Sequence, residues 1–533
     1  MNLEQYASVY PPRSLDPGAQ VTRIGPSPTG KAHIGTALQA VINRSIAEQT
    51  GGVFLLRVED TDQERLVVGA YEDLIAALAW MGSIPDEGGK LGGTYAPYVQ
   101  SQRLEIYQAA AKSLVEQGHA YYCFCTAERL KMVREKQEAL KQPTMYDRHC
   151  RNLAKDEVET RLAAGEAAVI RLKVPDQTQI RFNDLVRGEI VFDSSTIDDS
   201  VILKTDGFPT YHLAVVVDDH FMGVTTIVRG EEWIPSTPKH VLLYQAFGWE
   251  MPRVVHTPIL RDMSRRKLSK RSGDTSITWY RIQGYLPEGL RNFLTRIIWV
   301  HPEGKDVYDH QDFVKLFRPE DLPNTGPVVD MQLLDFVNGQ YLRQLTTAEL
   351  YAAVVGYLHF LIDLKQEIAF DVFAASGTST RFVYTQDQLV QYLKAFTKDA
   401  DYTQKVLALE PERFKRLSDV ILNTPYYFPA LFQPASAALL SKPLGDPEKA
   451  VTALKEYLLV YAQSDDHTAW EAKVRELART TNLKDGKVFM TIRIAATGSE
   501  QTPPLFEILQ ILGETEVRRR FQLAIHSIIS AVN

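Results

Sequence analysis

Cysteine is scarce in this 533-residue chain, with three residues at 123, 125 and 150 and none elsewhere. That excludes a disulfide-stapled fold, and the gathering of every thiol into one short stretch raises a metal site instead. Long apolar runs are missing too. The best, "LYAAVVGYLHFLI" (350–362), falls short of the ~20 residues of a membrane span. The N-terminal "MNLEQYASVYPPRS" lacks a signal-peptide pattern, so no membrane role and a cytoplasmic location are expected. Neither sign of charge dominates: 59 Lys+Arg face 66 Asp+Glu for a net −7, so only local basic patches could serve a nucleic acid. Low-complexity tracts are absent, and 45% hydrophobic with 23% charged residues is ordinary globular usage. A chain of this length needs several cores and hence several domains.

What is present is punctuated α/β patterning. A short apolar piece, "QVTRIG" (20–25), runs into the Pro/Gly loop "PSPTG" and then into Ile34, Leu38, Val41, Ile42 and Ile46, the spacing of one helix face. "GG" at 51–52 ends that helix, and "VFLLRV" (53–58) reads as a strand buried on both faces, completing a βαβ unit. Thr61 and Glu64 form a capping-box pattern ahead of Leu66, Tyr71, Leu74, Ile75 and Leu78, which predicts a helix there. In an open parallel sheet the ligand crevice lies beyond the carboxyl ends of the strands, where "GPSPTG" and "EDTD" (59–62) would both fall. "DEGGKLGG" (86–93) marks a break, and 99–210 mixes helices with short strands such as "AAVIRLKV" and "GEIVF", as an insertion would. The α/β pattern resumes at "YHLAVVVDDH" (211–220), and from about 285 onward the pattern is nearly all helical.

Two stretches suggest phosphate chemistry. Backbone N–H groups at a helix N-terminus attract anions, Gly30 and Gly35 would let a nucleotide lie close, and the His33 ring could donate to a phosphate. "SRRKLSKRSGD" (264–274) places five Lys or Arg within Ser264–Arg271, and Lys267 with Lys270 could neutralise charge developing on a triphosphate. Taken singly, the first is also compatible with a tight connection and the second with a solvated loop. "VDDH" (217–220) reads as acids at a strand end bonding local backbone rather than as metal ligands.

"HIGT" followed more than two hundred residues later by "KLSKR" resembles the two signatures of class I aminoacyl-tRNA synthetases. "RIGPSPTGKAHIGTA", "LRVEDTDQER", "GFPTYHLAVVVDDHFMGVTTIVRGEEW", "STPKHVLLYQAFGW" and "KLSKRSGD", in that order, resemble the bacterial-type glutamyl-tRNA synthetases over 20 to about 340. "IRIAATGSEQTPPLFEILQILGETEVRRRF" (492–521) resembles the end of that family's anticodon-binding region, whereas about 345–480 shares only helical character. The resemblance implies an α/β fold: a Rossmann-like class I catalytic domain with an α+β acceptor-binding insertion, then an all-α anticodon-binding region. The implied divisions are 1–98 and 211–256 for the catalytic halves, 99–210 for the insertion, 257–345 for a stem-contact domain, and 346–435 and 436–533 for two helical subdomains.

By the same resemblance, Arg23, Ser27, Glu59, Tyr211 and Arg229 fall on glutamate-binding positions, with Arg23 expected at the side-chain carboxylate. Thr29, Gly30, His33, Gly35, Thr36, Lys267, Leu268, Ser269 and Lys270 fall on ATP-binding positions, and His33, Lys267 and Lys270 among them on catalytic ones. An arginine fork suits a carboxylate and would oppose the amide donor of glutamine. Thr36 stands where many class I enzymes have a second histidine. Cys123, Cys125 and Cys150 match the spacing of a zinc site found in some members, with Asn152 where the last ligand is often histidine and Tyr146 or His149 as substitutes, if zinc is held at all. The implied activity is ligation of glutamate to the 3′ end of tRNA(Glu) through a glutamyl-adenylate, with ATP and Mg²⁺, activation awaiting bound tRNA, and a monomeric enzyme. Alternatives are an enzyme that also charges tRNA(Gln) and a catalytically retired tRNA-binding module, against which both nucleotide motifs are complete. The shortened paralogue that glutamylates a modified tRNA base lacks the helical half seen here, and glutaminyl-tRNA synthetase has a different first motif.

Overall fold

The computed structural model describes residues 1–268, 275–373, 379–464 and 466–532. They form two compact units, residues 1–279 with 290–330 and residues 280–289 with 331–533.

The first unit is built on strands β1 (Val21–Ile24), β2 (Val53–Leu56) and β3 (Glu87–Gly88), then β4 (Ala120–Cys123), β5 (Val169–Leu172), β6 (Gln179–Asp184), β7 (Gly188–Asp193) and β8 (Val201–Leu203), and finally β9 (Thr226–Gly230) and β10 (Arg253–Thr257). Seven of them make one sheet in the order β3-β2-β1-β9-β10-β6-β7, parallel except for the β6–β7 hairpin. Register is set by full pairing of Val21–Ile24 with Val53–Leu56 and of Arg253–Thr257 with Thr226–Gly230. The chain leaves β1 toward one edge and returns at β9 on its other side, so β1 and β9 flank the point where ligands bind in open α/β sheets. Strands β6 and β7, which come from within residues 99–210, extend this sheet, while β4, β5 and β8 form a separate antiparallel sheet.

The helix Ile34–Thr50 follows β1 as its periodicity predicts. Ile34, Leu38, Val41, Ile42 and Ile46 are all buried, and Gly51 ends the helix with φ 63°. The expected capping box at Thr61 does not form. Residues 63–65 make a single 3₁₀ turn and the helix starts only at Ala70. The reason is local competition: the Asp60 carboxylate accepts from Ser101 N–H (2.8 Å) and Ser101 Oγ (2.6 Å), and Gln63 binds Asp60 O, which holds "EDTD" as a loop. "YHLAVVVDDH" is likewise not a strand. Tyr211–Phe221 is a helix whose residues 213–219 are all buried, and burial on every side erases the polar stripe that marks a helix in sequence.

The second unit is helical about a core that includes Val354, Leu358, Phe396, Val420, Tyr457 and Phe521. Thr346 with Glu349 and Thr385 with Gln388 form capping boxes at the heads of two of its helices. One hairpin interrupts the helices, β11 (Ile368–Phe373) with β12 (Ser379–Tyr384), and its β12 strand is mostly solvent-exposed. No helix of the described residues is long and apolar enough to cross a membrane.

Candidate active site

Two arginines stand at the carboxyl ends of neighbouring strands, Arg23 on β1 and Arg229 on β9, and both are buried. Their surroundings differ. Arg23 Nε and Nη2 donate to the two oxygens of Asp219 at 3.1 and 3.2 Å. Arg57 donates to the same Asp219 at 2.6 Å and to Glu59 at 2.8 Å, and Arg103 donates to Asp218 at 2.8 Å. Tyr107, Gln100 and, at 3.5 Å, the Arg57 guanidinium complete the shell of Asp218. Three arginines thus balance three carboxylates in a site closed to water. Burial opposes ionisation of Asp219, yet Arg23 and Arg57 outweigh it and hold its carboxyl below the usual range. For Glu59 burial dominates over Arg57 and Arg23 and its pKa is raised. The acids of "VDDH" therefore bind buried guanidinium groups and not local backbone.

Arg229 is held by neutral acceptors: His256 Nε2 at 3.1 Å, His240 Nδ1 at 3.1 Å, Thr237 Oγ1 at 2.7 Å and the Tyr211 hydroxyl at 3.5 Å. Tyr211 packs on Trp233 with ring centroids 4.4 Å apart, and its burial raises its pKa against the pull of Arg229. Glu59 comes close to β1 because residue 25 is glycine. A Cβ there would lie 2.1 Å from Glu59 Oε1.

Next to this pocket is a cavity of about 270 Å³ lined by His33, Gly35, Lys267 and Leu268 among the expected ATP-binding residues, with Gly230 and Thr257 from the strand ends. His33 is the N-cap of the helix Ile34–Thr50. Its Nδ1 accepts from Gly35 N–H (3.1 Å) and Thr36 N–H (3.3 Å), which leaves the proton on Nε2, where Thr36 Oγ1 lies 3.4 Å away. Ile34 N–H donates to Thr275 O and Ile277 N–H to Ala32 O, so the chain just beyond "KLSKRSGD" is stitched to the first motif. Leu268 N–H donates to Leu260 O, while Lys267 is exposed at the cavity. Ser27 and Thr29 are exposed on the loop, which is closed by Thr29 N–H to Ser27 O at 2.7 Å, and Gly30 follows them. Ser269 and Lys270 lie outside the described residues.

The cysteines form the third feature. Their sulfurs lie within 4.8 Å of one another, Cys125 and Cys150 at 3.6 Å. The buried Tyr146 hydroxyl is 3.3 Å from Cys123 Sγ and 3.5 Å from Cys125 Sγ, while His149 is exposed. Tetrahedral zinc with bonds of about 2.3 Å to sulfur and 2.0 Å to oxygen needs S···S near ~3.8 Å and S···O near ~3.5 Å. The Cys125–Cys150, Cys123–Tyr146 and Cys125–Tyr146 spacings fit, and the Tyr146 hydroxyl also accepts from Cys150 N–H at 2.9 Å.

Sequence reasoning missed Arg57, Arg103, Asp184, Asp218, Asp219, His240 and His256 as parts of the site. The signal was there: ionisable groups inside apolar runs, as in "FLLRVED" and "AVVVDDH", are buried and must be paired.

Residues 20–336 match the family described as tRNA synthetases class I (E and Q), catalytic domain, and residues 388–525 match an anticodon binding domain. The glutamate–tRNA ligase of Gloeobacter violaceus is 68% identical over 524 residues, covering 98% of this chain and 99% of that one. That of Thermus thermophilus is 39% identical, covering 95% and 99%. A crystal structure of a glutamate tRNA ligase from Elizabethkingia meningosepticum in complex with its amino acid superposes with a TM-score of 0.79 at 29% identity, covering 96% of this chain and 100% of that one.

Proposed function

As this chain belongs to the class I glutamate–tRNA ligase family, we propose that its buried arginine pocket holds glutamate and the adjoining 270 Å³ cavity holds ATP for ligation to tRNA(Glu). The observation that carries this division is the adjacency of Arg229 and Gly230: one residue faces the buried polar pocket, and the next lines the cavity shared with His33 and Lys267.

The chain is an aminoacyl-tRNA ligase. A glutamate carboxylate oxygen attacks the α-phosphorus of ATP, the bond to the β-phosphate oxygen breaks, and pyrophosphate leaves with the electron pair. The ribose hydroxyl at the tRNA 3′ end then attacks the acyl carbon of the adenylate, and AMP departs. Mg²⁺ enters with the nucleotide as part of the substrate. Because in-line transfer needs little covalent help, positioning and charge stabilisation carry the catalysis. His33 Nε2–H and the Lys267 ammonium suit the phosphates, with Ser269 and Lys270 of the same motif, and Thr29, Gly30, Gly35, Thr36 and Leu268 shape the site. Arg23, Ser27, Glu59, Tyr211 and Arg229 serve the amino acid, Glu59 suiting its ammonium.

The helical unit, of which 388–525 match the anticodon-binding family, serves tRNA recognition. The enzyme acts as a monomer in the cytoplasm, and activation awaits bound tRNA. Cys123, Cys125, Cys150 and Tyr146 would hold a zinc ion whose contribution is structural, and the spacing of their ligand atoms supports that reading. ATP–pyrophosphate exchange with glutamate tests the whole: exchange that appears only with cognate tRNA is expected, and none with tRNA present would overturn the reading. Charging of separate tRNA(Glu) and tRNA(Gln) transcripts then decides discrimination.

A further inference from the structure

The buried cations of the pocket are not equivalent. Arg23, Arg57 and Arg103 each sit on a carboxylate, whereas no carboxylate of the described residues lies within ion-pair distance of Arg229. An arginine is donor-only, so its contacts dictate the state of every ring around it. His256 Nε2 must present a lone pair to Arg229 Nε, which puts its proton on Nδ1, 2.7 Å from Asp184 Oδ2. His240 Nδ1 must likewise accept from Arg229 Nη1, which puts its proton on Nε2, facing His212 Nδ1 at 3.2 Å. Both rings are neutral. Asp184 reaches the guanidinium only through the His256 ring, and its other contacts are the Val186, Arg187 and His256 N–H groups, with the Arg187 guanidinium at 3.9 Å and itself paired to Glu231. Burial, then Arg229 and His212, keep the His240 pKa well below its ordinary value, and burial with Arg229 lowers that of His256 against Asp184.

A carboxylate in either ring's place would anchor Arg229 more strongly and would also neutralise it. We propose that His240 and His256 are positioning residues that aim the Arg229 guanidinium through neutral acceptors, so that its charge stays uncompensated until a carboxylate of the amino-acid substrate arrives. The proposal rests on the reading of Arg229 as a glutamate ligand. It explains why the two arginines of one pocket are held by acceptors of opposite kinds: Arg23 is locked by Asp219 into a net-neutral frame, and Arg229 supplies the pocket's net attraction.

The test compares His240→Gln, which keeps a neutral acceptor, with His240→Glu, which places an anion on Arg229, in tRNA-dependent pyrophosphate exchange on the full chain. His240→Glu should raise the glutamate KM about 10- to 100-fold, the range commanded by one charge-assisted hydrogen bond, with the ATP KM little changed. His240→Gln should restore most of the loss. Equal glutamate KM values for the two variants would overturn the proposal, since only the charge distinguishes them. Asp184→Asn gives a second arm should His240→Glu fail to fold. Its amide N–H would push the His256 proton onto Nε2, against Arg229 Nε–H, so the glutamate KM should rise, and an unchanged value counts against the proposal. Arg229→Gln separates the two levels. If that variant leaves the glutamate KM unchanged, the reading of Arg229 as a substrate ligand fails; if it raises KM while His240→Glu does not, only the positioning role fails.

Discussion

Neutralising Asp219 is the sharpest perturbation of the catalytic unit. Asp219→Asn keeps the shape but replaces one carboxylate shared by Arg57 at 2.6 Å and by Arg23 at 3.1 and 3.2 Å. Arg57 is 0% and Arg23 4% exposed, so water cannot take over. Three carboxylates would become two against three guanidinium groups. At an effective dielectric constant near ~20, each lost attraction at about 4 Å is worth roughly 4 kcal/mol, and relaxation together with the smaller desolvation cost of an amide returns part of both. The expected loss is about 3–5 kcal/mol, the range for breaking a buried pair. Five of the six tryptophans, Trp80, Trp233, Trp249, Trp279 and Trp299, lie in this unit, so fluorescence-detected urea unfolding follows it directly. Adding Arg23→Met to Asp219→Asn should cost less than the two single changes taken together, because removing one cation restores the charge balance. A loss below about 1 kcal/mol for Asp219→Asn would refute the reasoning, since it would mean the arginines are solvated or hold other anions.

Lowering the pH should weaken the same unit. Burial, with Lys239 and Arg229, depresses His212 to about 3, and burial depresses His310 to about 4. Both values lie below the ordinary 6.5, so between these limits the unfolded chain binds more protons, and stability that is complete above pH 6.5 falls by about 1.4 kcal/mol per pH unit for each histidine. A urea midpoint that does not move between pH 7.5 and 5.5 would contradict this. Purified protein should carry about one zinc equivalent, and Cys125→Ser should lose it. Tyr146→Phe should lower zinc affinity as measured by chelator competition, and unchanged affinity would remove Tyr146 from the ligand set. Lys267→Ala should reduce kcat/KM in pyrophosphate exchange by about 2–4 kcal/mol of transition-state stabilisation while leaving tRNA affinity nearly unchanged. An unaltered rate would place the triphosphate elsewhere.

Much of the architecture is legible in the chain because its determinants are local. The βαβ opening follows from apolar spacing and a glycine end-stop, and the helix face from Ile34 to Ile46 is buried as its period requires. The local pattern misleads where burial is complete or where a side chain competes with the helix. Residues 211–221 carry no polar stripe, and Asp60 diverts the chain that Thr61 and Glu64 would otherwise cap. The β11–β12 hairpin sits in a region whose only sequence mark is the break near residue 376.

The sequence by itself determined the family, its two signature motifs, the order of α/β and helical parts and the cysteine cluster, since motif spacing and periodicity are properties of short stretches. Only the tertiary structure decided which charges meet. Arg23 and Asp219 are 196 residues apart, and their pairing depends on how the Tyr211–Phe221 helix packs against the strands, which no local pattern encodes. The same packing brought His240 to Arg229 and His256 to Asp184, and placed the Tyr146 hydroxyl, not the His149 ring, beside the sulfurs. Ionisation, tautomer and ligand choice depend on distances of a few ångströms between remote segments, and those distances exist only once the chain has folded.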